Sequence, residues 1–248
     1  MLVDVHAHLH AVEDLEKTLD EAYQTGVRKI MGVSWDNASY EKTCAIKSGL
    51  IKIYPALGIH PWNPTSGLNE LDKALDKLKN TRFVGEIGLD RVYIKDPNEH
   101  AAQLKIFTAF LEACKGTDKV LNIHSAGAEE QVLTMLQTYQ IKRVNMHWFD
   151  AAEEGKPLKL VPKLLDLGYY FSITPGVATS SNMRELVRMV PLENLLTETD
   201  THPLVKYAGV ASAPKMVKTA LEGIASVKNR AVHEVENTIA ENFARLVD

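Results

Sequence analysis

Six side chains that bind divalent metals stand at the ends of short apolar runs in this chain. His6 and His8 close Val3-Asp4-Val5-His6-Ala7-His8, and Glu86 lies in Phe83-Val84-Gly85-Glu86-Ile87-Gly88. His124 ends Val120-Leu121-Asn122-Ile123-His124, and His147 ends Arg143-Val144-Asn145-Met146-His147. Asp200 ends Asn194-Leu195-Leu196-Thr197-Glu198-Thr199-Asp200. Imidazoles and carboxylates in this mixture are the donors of a zinc- or manganese-type centre. They are spread over most of the sequence, so only a fold that gathers many strand ends could use them together.

Spacing refines the reading. His6 and His8 are two apart on an extended segment, so both rings point to one side, and Asp4 shares their parity. Asp4 serves either an interior hydrogen bond or the orientation of a ligand imidazole. Glu86 lies on an apolar strand, where an unpartnered carboxylate is expensive. One metal, two metals that it bridges, or an internal salt bridge would each relieve that. His124 and His147 end neighbouring strands, whose spacing of ~4.8 Å lets two rings grip one ion. Glu198 has the parity of Asp200 one layer deeper and suits an acceptor for a histidine N–H. His60, in Leu57-Gly58-Ile59-His60-Pro61-Trp62, is read as a substrate contact, with a further ligand or a ring packed under Trp62 as alternatives. His202 follows Asp200 by two residues and could reach the same mouth, whereas His10, His100 and His233 are expected to face solvent. Ser125 follows His124 but lacks the Gly-x-Ser-x-Gly elbow of a serine nucleophile.

The elements that must position these groups alternate. Apolar runs predict strands over 2–5, 27–33, 50–59, 83–87, 119–123, 143–146, 169–173 and 194–199. Helical patterns follow over 13–25, 37–48, 68–79, 97–115, 129–139, 157–167 and 181–189, then over 214–227 and 232–247. Eight strand–helix units predict an α/β fold of the (β/α)8 TIM-barrel kind, for which ~250 residues is typical. The chain has 248 residues and no linker-like tract, so 1–248 is expected to be one domain. An open doubly wound sheet is the runner-up, but no Gly-rich phosphate loop follows the first strand. In the barrel, active sites lie at the C-terminal ends of the strands, where all the candidate ligands fall.

Composition excludes other classes. Hydrophobic residues at 45% and charged residues at 24% describe an ordinary globular protein. A net charge of −4 gives no global attraction to nucleic acid, although bound metals add positive charge locally. No run approaches the ~20 apolar residues of a membrane span. Met1 leads directly into a strand, which leaves no room for a signal peptide, and the cytoplasm is the expected compartment. Cys44 and Cys114, both in helical patterns, are expected to be buried free thiols.

At these residues the chain resembles the TatD-like metal-dependent hydrolases, a branch of the amidohydrolase-type barrels. The matching blocks are Val3-Asp4-Val5-His6-Ala7-His8-Leu9, Gly58-Ile59-His60-Pro61, Gly85-Glu86-Ile87-Gly88-Leu89-Asp90, Ile123-His124-Ser125 and Glu198-Thr199-Asp200. The resemblance implies up to two divalent ions, one held by His6, His8 and Asp200 and the other by His124 and His147, with Glu86 bridging. Four departures stand out. Ala126 replaces an arginine common after the Ile-His-Ser block. His147-Trp148-Phe149-Asp150-Ala151 replaces His-Cys-Phe-Ser-Gly, and Thr201-His202-Pro203 replaces Ser-Pro after the last aspartate. An Arg-Asn-Glu-Pro segment before the last helices is absent.

The expected activity is hydrolysis by a metal-bound hydroxide, with one or two divalent ions (Zn, Mn, Mg, Fe or Ni) and Asp200 as general base. By resemblance the substrate is a phosphodiester of DNA or a nucleotide. Amide, lactone or phosphotriester hydrolysis, and a non-catalytic metal-binding barrel, are the alternatives. Arg91 and Lys95, in the loop after the fourth strand, are the candidate phosphate contacts.

Overall fold

The computed structural model describes residues 1–149 and 157–248. Its parallel strands are β1 (Leu2–Ala7), β2 (Val27–Val33), β3 (Lys52–Ala56), β4 (Phe83–Gly88), β5 (Val120–His124), β6 (Arg143–Met146), β7 (Tyr170–Ile173) and β8 (Leu195–Thr197). They form two ladders, β1-β2-β3 and β4-β5-β6-β7-β8. Parallel bridges join the ladder edges, Leu57 to Val84 on one side and Ala7 to Thr201 on the other. Hydrogen bonds from Gly85 N to Leu57 O (2.8 Å) and from Asp200 N to His6 O (2.9 Å) reinforce them. The strands therefore follow one another around a ring, as in a (β/α)8 barrel.

Helices α1 (Leu15–Thr25), α2 (Asn37–Ala45), α3 (Pro64–Leu68), α4 (Leu71–Leu78), α5 (Pro97–Cys114), α6 (Glu129–Thr138), α7 (Val161–Asp166), α8 (Ser181–Met189), α9 (Val217–Lys228) and α10 (Val232–Val247) accompany the strands. Local chemistry sets their ends. Asp14 caps α1 by accepting from Lys17 N, and Gly26 closes it at φ 109°, a left-handed conformation that glycine adopts without a Cβ clash. Asp36 and Ser39 form a reciprocal capping box on α2. α10 buries Val235, Ile239, Phe243 and Leu246 on one face, with Phe243 edge-on to Tyr54 at 5.3 Å.

Two stretches differ from the sequence reading. The helix expected over 68–79 is a pair, because Pro64 is pre-set for a first helical turn and starts α3 early. A hairpin, β9 (Lys206–Tyr207) and β10 (Val210–Ala211), follows β8 unforeseen. Its turn residues Ala208 and Gly209 both have positive φ, at 49° and 81°, which suits a tight two-residue turn. Among the described residues no helix is long and apolar enough to cross a membrane. Cys114 is buried as expected, but Cys44 is exposed, because α2 turns that face to solvent.

Candidate metal centre

Glycines allow the strands to bring the site together. A Cβ at Gly58 would lie 2.3 Å from the Glu86 carbonyl oxygen, and one at Gly88 would lie 1.9 Å from that of His124. The backbone thus passes closest where Glu86 and His124 are presented. Trp148 (φ 39°) and Asp200 (φ 45°) sit in the left-handed region although neither is glycine, a strain of order 1–3 kcal/mol per residue that clusters at functional sites.

Glu86 is the centre of the constellation. Its Oε2 lies 3.2 Å from the Nε2 atoms of His6, His8 and His60. Its Oε1 lies 2.7 Å from His124 Nδ1 and 3.8 Å from His147 Nε2. Asp200 Oδ1 is 3.6 Å from His6 Nε2 and 3.5 Å from His8 Nε2, while its Oδ2 is 4.0 Å from His147 Nε2. The rings of His6 and His147 stack at 3.6 Å. All six candidate ligands and His60 therefore meet in one zone. Three trios have donor atoms within 4.8 Å of one another: His6-Glu86-His147, His6-His8-Asp200 and His60-Glu86-His124. His124 and His147 share no trio, and their rings are 6.2 Å apart.

Partners behind the imidazoles fix which nitrogen faces inward. Asn122 donates to Val5 O at 2.7 Å, which turns its Oδ1 toward His6 Nδ1 at 2.8 Å. His6 then carries its proton on Nδ1 and aims a bare Nε2 at the centre. His147 Nδ1 donates to Glu198 Oε2 at 2.8 Å, in the role read for Glu198 from sequence. Ser172 Oγ and Trp148 N also donate to that carboxylate. His124 Nε2 donates to Asp90 Oδ2 at 2.8 Å, leaving Nδ1 on the Glu86 side. His60 Nδ1 accepts from Trp62 N at 3.1 Å, so neutral His60 carries its proton on Nε2. That makes it a donor, in keeping with a contact role rather than a ligand role.

Asp4 takes the first of its two expected roles, the interior hydrogen bond. It takes its hydrogen bonds from His6 N, Thr199 N and Thr199 Oγ1 and touches no imidazole, so it ties β1 to the segment after β8. Asn122 and Asp90 are the orienting residues that sequence reasoning missed. Asn122 could have been found by parity, since it lies two before His124 on an inward-facing strand. Asp90 is visible only in three dimensions, two residues beyond β4.

The charge balance suits a cation. Among the described residues, His6 Nε2 and His8 Nδ1 are buried without hydrogen-bond partners. Burial pulls the His6 imidazole down, but the negative charges of Glu86 and Asp200 raise it to about 10. His124 is likewise lowered by burial but raised to about 9 by Asp90 and Glu86. Burial holds His147 down at about 3 and His8 well below the usual range. Burial also pushes Asp200 upward, Glu198 to about 8 and Asp4 to about 7. Buried carboxylates at this density need positive charge to stay ionised, and divalent ions would supply it in place of the protons that the carboxylates hold on His6 and His124. The residues present fit divalent ions.

The centre forms the floor of a cavity of about 710 Å³ lined by His8, His60, Glu86, His124, His147 and Asp200 below, with aromatic residues above. His202 reaches this mouth, with its ring 5.7 Å from His8. Ser125 and Ala126 lie on its rim. Arg91 and Lys95 do not line it. The Arg91 guanidinium bonds Asp90 O and Gln103 Oε1, and Lys95 Nζ bonds Arg91 O. His10 departs from its expected exposure: it is half-buried edge-on against Trp35 at 4.6 Å. His100 is also partly covered, with its Nε2 on Ile94 O, whereas His233 is exposed as expected. The Asp150-Ala151 part of the His147 block lies outside the described residues.

Comparison with known proteins agrees with this architecture. The family model described as TatD related DNase matches residues 3–248. The human protein named deoxyribonuclease TATDN3 is 28% identical, aligning over 99% of this chain and 94% of its own. The Bacillus subtilis metal-dependent hydrolase YabD is also 28% identical, over 99% of this chain and 98% of its own. The crystal structure of YJJV, a TatD homologue from Escherichia coli K12, superposes with a TM-score of 0.83 at 23% identity, covering 99% of this chain and 97% of that one.

Proposed function

The chain belongs to the TatD-related DNase family, and from that premise we propose that it is a divalent-metal-dependent deoxyribonuclease with a two-ion centre. One of its relatives is named a deoxyribonuclease and another a metal-dependent hydrolase. The observation that carries the two-ion reading is the pair of faces on Glu86. Oε2 addresses His6 and His8, while Oε1 addresses His124 and His147. In this reading His6, His8 and Asp200 hold one ion, His124 and His147 the other, and Glu86 reaches both. Residues 1–248 are taken as one hydrolase domain.

Bound ions would supply charge stabilisation at the scissile phosphate and acidify a water molecule. The chain's own groups do the rest. Asp200 borders the cavity floor and is positioned to accept the proton of that water. His60 Nε2–H points at the centre and donates to a non-bridging phosphate oxygen. Glu198, Asn122 and Asp90 hold the ligand rings so that little reorganisation accompanies the reaction. The two free cysteines suit a reducing compartment such as the cytoplasm.

The test is hydrolysis of a DNA oligonucleotide, bis-p-nitrophenyl phosphate and a lactone panel with added Mn2+, Mg2+ or Zn2+, with metal stoichiometry measured in parallel. Cleavage of both phosphodiesters at two ions per chain supports the proposal. Lactone turnover without phosphodiester turnover would move the enzyme to amidohydrolase-type chemistry, and stoichiometric metal without any turnover would make it a binding barrel.

A further inference from the structure

The chain has three tryptophans, and all of them line the cavity above the metal centre. They arrive from separate loops: Trp35 after β2, Trp62 after β3 and Trp148 after β6. Tyr93 joins them at the lip, 68% exposed, with its ring 5.2 Å from that of Trp62. Leu204, 77% exposed, also lines the mouth. Among the described lining residues the only lysine or arginine is Lys206. A mouth built to track a polyphosphate by charge alone would show the reverse balance.

We propose that Trp62 with Tyr93, and Trp148, form stacking faces for a nucleobase, so that the site selects its substrate by the base plane as well as by the phosphate. The proposal rests on the nuclease reading above. Two features fix these rings in place. The Trp62 indole N–H donates to Asp90 Oδ2 at 3.0 Å, the same carboxylate that orients His124. The Trp148 backbone N–H donates to Glu198 Oε1 at 3.0 Å, the carboxylate that orients His147. Each aromatic face is therefore registered to a ligand imidazole, and Trp148 holds a left-handed backbone to reach its place (φ 39°). His147 and Trp148 lie 6.2 Å apart, ring to ring, which leaves a phosphate at the centre and its base within reach of the aromatic faces. Base–aromatic stacking tolerates every base because each has a π-face, so the selection is for a base and not for a particular one.

The test compares two phosphate ligands that the enzyme cannot cleave as phosphodiesters, deoxyadenosine monophosphate and 2-deoxyribose 5-phosphate, by calorimetry on the metal-loaded 248-residue chain. Deoxyadenosine monophosphate is expected to bind about 5- to 150-fold more tightly, the span that stacking of one base gives, and to quench tryptophan fluorescence. Tyr93→Ala and Trp148→Ala should each shrink that ratio while leaving the sugar phosphate unchanged, and Tyr93→Phe and Trp148→Phe should restore most of it. Equal wild-type affinities, or a ratio untouched by both alanine variants, would overturn the proposal. If Trp148→Ala does not fold, Tyr93→Ala decides, because Tyr93 is exposed at the lip. Oligonucleotide cleavage with equal affinities would remove the stacking role and leave the nuclease reading standing. Failure to cleave any phosphodiester would remove the nuclease reading itself.

Discussion

Asp90 Oδ2 accepts the Nε2–H of His124 at 2.8 Å, at the opposite end of the ring from Glu86, whose Oε1 lies 2.7 Å from Nδ1. The imidazole is thereby held between two carboxylates, one facing the centre and one behind it. Asp90 is itself fixed, since its Oδ1 accepts from the backbone N–H groups of Val92, Tyr93 and Ile94. The loop after β4 and the ligand on β5 are thus locked to one another.

Asp90→Ala frees the His124 ring to rotate and to exchange its proton between nitrogens. Metal affinity or turnover is expected to fall by about 10- to 100-fold, the usual effect of removing the partner of a ligand histidine. Elemental analysis after dialysis, with turnover titrated against added Mn2+, reads it directly. Full metal occupancy and normal turnover would show that Asp90 serves only its loop.

Asp200→Asn keeps the side chain's shape and one oxygen donor but loses the basic carboxylate. The Asp200 backbone bond to His6 O is untouched, so fold and much of the metal should persist. Turnover is expected to fall by ~100-fold or more. If a metal-replete variant works at close to the normal rate, Glu198 or His202 becomes the base to examine.

Chelation should destabilise the protein, because the carboxylates of Glu86, Asp200, Glu198 and Asp4 crowd a buried region whose positive charge the ions would supply. Metal at 100 times its dissociation constant adds about 2.7 kcal/mol. In a domain of this size that corresponds to roughly 5–10 °C in Tm. Scanning calorimetry with and without EDTA measures it, and an unchanged Tm would argue against a built metal site.

Arg91→Ala and Lys95→Ala should leave phosphodiester kinetics nearly unchanged. Arg91 spends its donors on Asp90 O and on Gln103 Oε1 of α5, and Lys95 on Arg91 O, none of them residues that line the cavity. KM should stay within about twofold of wild type, the scale of ordinary surface substitutions, and its salt dependence should not move. A flattened salt slope in either variant would return that residue to substrate recognition.

The thiols should separate in reactivity. Burial pushes the Cys114 thiol up to about 12, whereas Cys44 is exposed on α2. Iodoacetamide should label Cys44 in the native protein and reach Cys114 only after unfolding. Mass spectrometry of the digested protein resolves the two sites.

Much of the centre was legible in one dimension. His6, His8, Glu86, His124, His147 and Asp200 are metal-binding residue types at the ends of apolar runs, and alternating strand and helix periodicities specify a barrel whose strand ends converge. The candidate ligands and their convergence at the strand ends therefore follow from residue type and spacing. Glu198 was readable too, because period-two alternation puts it on the same side as Asp200.

Tertiary structure alone decided what stands behind each ligand. The partner of His6 is Asn122, far along the chain, and not the nearby Asp4, because Asp4 is consumed by Thr199 across the β1–β8 seam. His60 is a donor because Trp62 N occupies its Nδ1, a bond set by loop geometry. Arg91 and Lys95 follow Glu86 closely in sequence, yet bonds to Gln103 on α5 and to loop carbonyls keep their side chains off the cavity lining. The cavity's aromatic lining is also a property of the ring: loops after strands two, three and six are distant in sequence and become neighbours only when the strands close. Residue chemistry and strand period act locally and can be read from the chain, whereas hydrogen-bond partners across the barrel depend on register and on which loops meet.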